Sequence, residues 1–166
     1  RGEKIEAIRS REEMEETIGR CFGFAKKKGA PIFGLYPVNN AFFMSENIST
    51  AVTVNTVVGF TAGSRFSFNE TYRAKEDIEL CARILSLGGK VIRYNFLAMD
   101  AKHRTNAGGC HDTWKSNENT KAAARLCNTY PNILARHSKK PEEVRVIAKD
   151  KIMNLDMKKI KDLKGN

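Results

Sequence analysis

Apolar and polar positions change period several times along the chain, and each change marks an element. Met14, Ile18, Cys21, Phe22 and Ala25 recur at helical spacing behind Ser10 and Glu13, which stand in capping-box relation. Lys26-Lys27-Lys28 suits the negative end of that helix, and Gly29 suits its C-cap. Pro31 then opens the apolar run Ile32-Phe33-Gly34-Leu35-Tyr36, a buried strand by pattern, and Pro37-Val38-Asn39-Asn40 reads as a turn. Thr50 to Val58 is rich in Thr, Val and Ala, which predicts a strand or a pair of extended segments. Gly59 and Gly63 bracket Phe60-Thr61-Ala62 and predict a bend or a close backbone approach. Residues 64–74, with Ser, Asn and Arg, read as a loop.

The next helix is predicted over Glu76 to Leu87. Ile78, Cys81, Ala82 and Leu85 form one stripe and Leu80, Ile84 and Leu87 a second, the pattern of a largely buried helix. Glu79 and Arg83 can pair at i,i+4 on the surface that remains. Gly88-Gly89 ends the helix, and a strand over 90–97 follows. Residues 98–113 have no period and read as a loop. A helix is predicted over about 114–128, ended by Pro131, and Val144-Arg145-Val146-Ile147 reads as a short strand. Apolar and basic residues alternate from Lys151 to Lys164, giving either a docked helix or a basic tail. The chain thus reads as one α/β domain over 1–150, with 151–166 as a basic C-terminal helix or tail.

Composition changes this picture in three ways. At 166 residues with 41% hydrophobic and 29% charged side chains, the chain can bury a core without disulfides. It has no apolar run of membrane-spanning length and no signal-peptide pattern, so no membrane partner is expected. Cys21, Cys81, Cys110 and Cys127 form no Cys-x-x-Cys pair, and two of them fall in helical apolar patterns, which reads as a reduced, intracellular protein: cytoplasmic or nuclear, or in the host cytoplasm if viral. Without a secretory signal, the sequons at Asn47 and Asn69 read as chance matches. The net charge is +10, and residues 90–140 supply +7 of it, ten cations against Asp100, Asp112 and Glu118. Such a surface favours polyanions such as nucleic acid or phosphorylated substrates, and equally fits an ordinary protein of high pI. Because the first residue is Arg, the chain is expected to be a processed product or part of something longer.

Four places can carry chemistry. Glu76 and Asp77 sit in a helix first turn, where the dipole is expected to lower a carboxylate pKa; a base there can take a proton from a bound hydroxyl, and the plainer role is to satisfy the dipole. The stretch His103-Arg104-Thr105-Asn106-Ala107-Gly108-Gly109-Cys110-His111 lacks zinc spacing but can meet a phosphate or its metal through Arg104, the Gly108-Gly109 amides and one His; otherwise it is a solvent loop. Asn39 and Asn40 can bind a polar ligand or simply make the turn. Trp114, amid basic residues, can stack on a base or sugar, or pack a helix.

Taken in order, Gly34-x-Tyr36-Pro37-x-Asn39, Gly59-Phe60-x-x-Gly63, Lys75-Glu76-Asp77-x-Glu79, Gly88-Gly89-x-Val91-x-Arg93-x-Asn95 and His103-x-x-Asn106-x-Gly108-Gly109 resemble the phage and eukaryotic glycosyltransferases associated with TET/JBP-type dioxygenases. The resemblance covers about residues 10–145, as the later part of that domain. It implies a GT-A-like mixed sheet flanked by helices, a nucleotide-sugar donor such as UDP-glucose, and a divalent metal, Mn or Mg. It further implies transfer of a hexose to a hydroxymethylated pyrimidine in DNA. By that resemblance Asp77 matches the acceptor base, with Glu76 next, and His103 the metal ligand, with His111 second. Asn39 and the Gly59–Gly63 segment would line the acceptor side, and Asn40, Arg93, Arg104, Gly108, Gly109 and Trp114 complete the expected substrate contacts. No Asp-x-Asp motif for the metal and diphosphate occurs in the chain. Either a donor-binding half precedes this segment, leaving a sheet edge for it to cover, or metal-dependent activity is lost. The rivals are a non-catalytic nucleic-acid-binding module and a transferase acting on protein, lipid or saccharide.

Overall fold

The computed structural model describes residues 7–54, 57–100, 117–149, 153–154 and 157–164. The elements run α1 (Arg11–Lys27), β1 (Ile32–Tyr36), β2 (Asn47–Ser49), β3 (Val58–Phe60), α2 (Glu76–Ser86), β4 (Val91–Ala98), α3 (Glu118–Thr129), β5 (Leu134–Arg136), β6 (Val144–Val146), β7 (Met153–Asn154) and α4 (Met157–Lys164). Helix α1 starts where the capping box places it: the Ser10 hydroxyl accepts the Glu13 N–H at 3.0 Å. The return bond goes one residue further back, from the Arg9 N–H to the Glu13 carboxylate at 3.4 Å. The helix stops at Gly29, whose φ of 67° a side chain would resist.

The fold is mixed α/β. Five strands form a mixed sheet in the order β3-β1-β4-β2-β7, and β5 and β6 form a separate hairpin. Among the described strands only β1 and β4 are parallel; they are joined by a crossover through α2. Their register, Ile32 beside Val91 and Gly34 beside Arg93, sorts side chains to two faces. On one face Phe33, Leu35, Ile92, Tyr94 and Phe96 pack against Cys21, Phe24 and Ala25 of α1. Tyr94 is fully buried there, and its hydroxyl donates to the Cys21 carbonyl at 2.7 Å. On the other face Ile32 and Val91 pack under Leu80, Cys81 and Ile84 of α2.

The apolar positions of α2 have two partners, but they divide differently from the expected stripes: Cys81 and Leu85 join Leu80 and Ile84 against the sheet. The outer group, Ile78 and Ala82, meets Tyr72, Leu126 of α3 and Leu134 of the hairpin. Leu87 belongs to neither: the helix ends at Ser86 and this side chain is 72% exposed. The C-terminal residues are a docked helix and not a tail. Strand β7 pairs with β2, Ile160 and Leu163 of α4 are buried, and Arg20 of α1 donates to the Leu163 carbonyl at 3.1 Å.

Three expectations are corrected. The Thr/Val run at 50–54 is buried but outside the ladder, and strands form on either side of it, at β2 and β3. Its backbone bonds elsewhere: the Thr50 carbonyl accepts from Val91 N–H at 3.2 Å, and the Val54 N–H points to the Cys81 sulfur at 3.4 Å. The described part of α3 begins at Glu118, preceded by Asn117 in the left-handed region. The Glu79–Arg83 pair forms, at 3.1 Å, but not on open surface, because Glu79 is 1% exposed.

Glu79 accepts a second bond from the Tyr130 hydroxyl at 2.7 Å, tying α2 to the end of α3, while its Oε2 has no partner among the described residues. Removing one partner of a buried carboxylate leaves it further unsatisfied. Tyr130→Phe is therefore expected to lower stability by about 1–3 kcal/mol. This is read as a lower urea midpoint at unchanged slope; an unmoved midpoint would show that the bond carries nothing.

Candidate functional site

In an α/β sheet the groups at the carboxyl ends of parallel strands face open solvent, and ligands gather there. Here that rim belongs to β1 and β4. Helix α2 returns to β4 through only residues 87–90, so it runs against the strand and its first turn stands toward the rim. Cys81 marks the level: its sulfur bonds Val54, whose side chain occupies the space that a Cβ on Gly34 would need. Asp77 lies one turn closer to the rim on the same stripe as Cys81.

The chain turns sharply into α2. Lys75 takes φ 62°, an uncommon conformation for a lysine, and its carbonyl starts the helix by accepting from Glu79 N–H at 2.9 Å. The Asp77 carboxylate accepts from Ile78 N–H at 2.8 Å. Its pKa is raised from the ordinary carboxylate value. Burial is the main cause and the Glu76 charge adds to it, against the lowering effects of the Ile78 N–H and Lys75. The expectation that the helix start lowers this pKa is corrected, because the inward position of the side chain outweighs the dipole. Glu76, its neighbour, is half-buried.

Below this helix turn, on the same face of the sheet, β4 changes from apolar to polar. Arg93 Nε donates to the Asn95 side-chain oxygen at 2.8 Å, and its guanidinium lies 5.2 Å from the ring centre of Tyr36. The Asn95 amide donates to Asn47 at 2.6 Å and to Ser49 at 3.0 Å on neighbouring β2. This partly buried network fixes Arg93; sequence reasoning placed only Arg93 among the site residues and quoted Asn95 in the motif beside it. Asn47 and Ser49 on β2 and Asn95 on β4 are polar positions in a core register, a signal visible only once β2 is paired with β4.

The loop after β1 completes the rim. Asn39 is exposed. Asn40 is a turn former: its side chain accepts from Phe42 N–H at 3.0 Å and its carbonyl from Phe43 N–H at 3.0 Å. The same turn presents Phe42, 83% exposed, and Phe43, 56% exposed, edge to face at 5.1 Å. These aromatics were not anticipated as site residues. The turn is anchored to β4 through Ser45 N–H and the Asn95 carbonyl at 3.1 Å.

The Gly59–Gly63 segment does not join this group. Gly59 is buried opposite Phe33, on the α1 face, where a Cβ would strike the Phe33 ring. Thr61 N–H bonds the Pro31 carbonyl at 3.0 Å, so the segment and Gly63 sit where β1 begins, while Asn39 sits where it finishes. Both glycines serve local geometry, Gly59 a close approach and Gly63 a bend at φ 84°. His103, Arg104, Gly108, Gly109, His111 and Trp114 lie outside the described residues. Burial pushes the Cys21 and Cys81 thiols up to about 12, which makes them packing groups and not nucleophiles.

No protein-family model matches the chain, and no curated protein or solved structure is similar to it.

A carboxyl with a raised folded pKa holds its proton more tightly folded than unfolded. Stability is then full below the ordinary value of 3.8, falls as pH rises through the raised value, and stays lower above it. Asp77→Asn, which keeps the oxygen that accepts from Ile78, removes that loss. It is expected to be more stable than the parent at pH near 7 and to lose the advantage in acid below about pH 4. Urea unfolding at both pH values checks this; an advantage that is absent, or largest in acid, would contradict it.

Proposed function

We propose that the chain is the acceptor-side part of a GT-A-like glycosyltransferase that moves a hexose from a nucleotide sugar to a hydroxymethylated pyrimidine in DNA. The observation that carries this reading is Asp77. It is a half-buried carboxylate in the first turn of α2, on the stripe of Cys81, with a pKa moved upward, toward the range where a general base works best. The described groups supply a proton acceptor and hydrogen-bond donors; among them no group of three or more His, Cys, Asp or Glu is placed to hold a metal.

In the proposed step the acceptor hydroxyl oxygen forms a bond to the anomeric carbon while its proton passes to the Asp77 carboxylate. The bond from that carbon to the nucleoside diphosphate breaks, and the electron pair leaves with the diphosphate. The Arg93–Asn95–Asn47–Ser49 network would orient polar groups of the acceptor under the helix turn. The exposed Phe42–Phe43 pair supports a nucleic-acid acceptor, since an edge-to-face aromatic pair on a loop tip offers a surface on which a base can stack. The net charge of +10 supplies attraction to the backbone.

A second reading, a non-catalytic nucleic-acid-binding module, is favoured by the same exposed aromatics and charge. Asp77→Asn separates the two. The protein, with any sequence that precedes Arg1 retained, is incubated with a hydroxymethylated oligonucleotide and a panel of nucleotide sugars, and the product is read by intact mass. Transfer is expected to appear with at least one donor and to fall on the order of 10²–10⁴-fold in Asp77→Asn, with DNA affinity unchanged. Transfer that survives the substitution would sink the assignment of Asp77. Equal transfer to plain sugar acceptors would move the activity off DNA.

A further inference from the structure

The segment Thr71–Ala74 that leads into α2 and the first two turns of α3 border an open hollow of about 230 Å³. Three cations line it, Arg73, Lys121 and Arg125, against one carboxylate, Glu118. Like charges about one concavity leave a positive field that an anion relieves.

Arg125 is pre-positioned. Its guanidinium lies 4.0 Å from the ring centre of Tyr72, a ring packed into the core beside Leu126. Its two terminal nitrogens donate to the Thr71 carbonyl and hydroxyl, each at 3.1 Å. A guanidinium carries five N–H donors, so two bonds to Thr71 leave the others for a ligand at little further entropy cost. Lys121 spans 3.4 Å to Glu118 in a solvent-exposed pair. Such pairs are weak, and the ammonium can turn to a stronger anion.

The geometry points to a phosphate-binding subsite, in which Arg73, Lys121 and Arg125 surround a phosphate-ester anion: a DNA backbone phosphodiester or the diphosphate of a nucleotide. The subsite rests on the proposed function only for its purpose. Three residues of backbone, at most about 11 Å, separate Ala74 from Asp77. A phosphate held here is therefore tied through the Lys75 turn to the carboxylate that would take the proton.

The test measures binding without turnover. Anisotropy of a short labelled duplex and calorimetry with UDP are run on the full chain, on Arg73→Gln/Lys121→Gln, and on the charge-matched Lys26→Gln/Lys27→Gln, whose side chains are exposed at the end of α1. Thermal melting verifies that each variant is folded. The hollow variant is expected to lose about fivefold in affinity for each phosphate contact removed at about 0.15 M salt, and to lower the salt slope by about one per contact. The α1 variant is expected to change far less. A loss confined to the duplex assigns the backbone phosphate, and a loss confined to UDP assigns the nucleotide. If the hollow variant falls no further than the α1 variant for both ligands, or the parent chain binds neither, the subsite is wrong. Neither result depends on Asp77 acting as a base.

Discussion

The parallel contact between β1 and β4, buried on both faces, is the constraint from which the rest of the molecule follows. Phe33 and Tyr94 face α1, and Ile32 and Val91 face α2. A slip of one residue would exchange the two faces, sending Tyr94 away from the Cys21 carbonyl and Arg93 into the α1 core. Because the strands are parallel, they finish at the same end, and the polar residues of β4 beyond Val91 collect there. Because their connection crosses over through α2, the first turn of that helix comes to the same end. Topology therefore brings Asp77, Arg93, Asn95 and the turn after β1 to one rim, although they are spread over about a third of the chain.

At Asp77 two effects of opposite sign compete. Helix dipole and backbone N–H favour the charged form; burial opposes it and is the larger. Position on the helix decides the outcome. A carboxylate one turn before Cys81 lies on the sheet-facing stripe, whereas an outward first-turn acid would feel the dipole with full solvent screening. Glu79, two residues further on, has a structural part. It is buried, and its Oε1 accepts from both Arg83 and Tyr130, tying α2 to the end of α3.

Local signals were legible in the amino-acid sequence. Ser10 with Glu13, Gly29 and Gly88 mark helix ends through backbone chemistry that needs no distant partner. The apolar crowding of α2 implied a largely buried helix, and it is one, but its stripes were misdrawn, because Cys81 and Leu85 face the sheet and Leu87 faces solvent. What depended on pairing was not legible. The run at 50–54 has strand composition, yet the ladder forms at Asn47–Ser49, where Ile48 meets Tyr94. Strand β5, three residues long, becomes a strand only through Val144–Val146. Of the groups at the candidate site, Asp77, Glu76, Arg93, Asn39 and Asn40 were named from spacing and resemblance. Asn47, Ser49 and the Phe42–Phe43 pair were missed because nothing in their local sequence separates them from an ordinary turn and strand. Gly59 and Gly63 were grouped with Asn39 because sequence order does not tell which end of an antiparallel strand a bend will occupy.

The central claim is that crossover topology turns Asp77 toward the sheet at the start of α2 and thereby raises its pKa. The most direct measurement is a carbon-13 carboxyl titration of aspartate-labelled protein by NMR, with the Asp77 signal assigned by its loss in Asp77→Asn. The account predicts a midpoint clearly above 3.8. A midpoint at or below 3.8 would mean that the carboxylate is solvated or governed by the helix dipole, and would contradict the account.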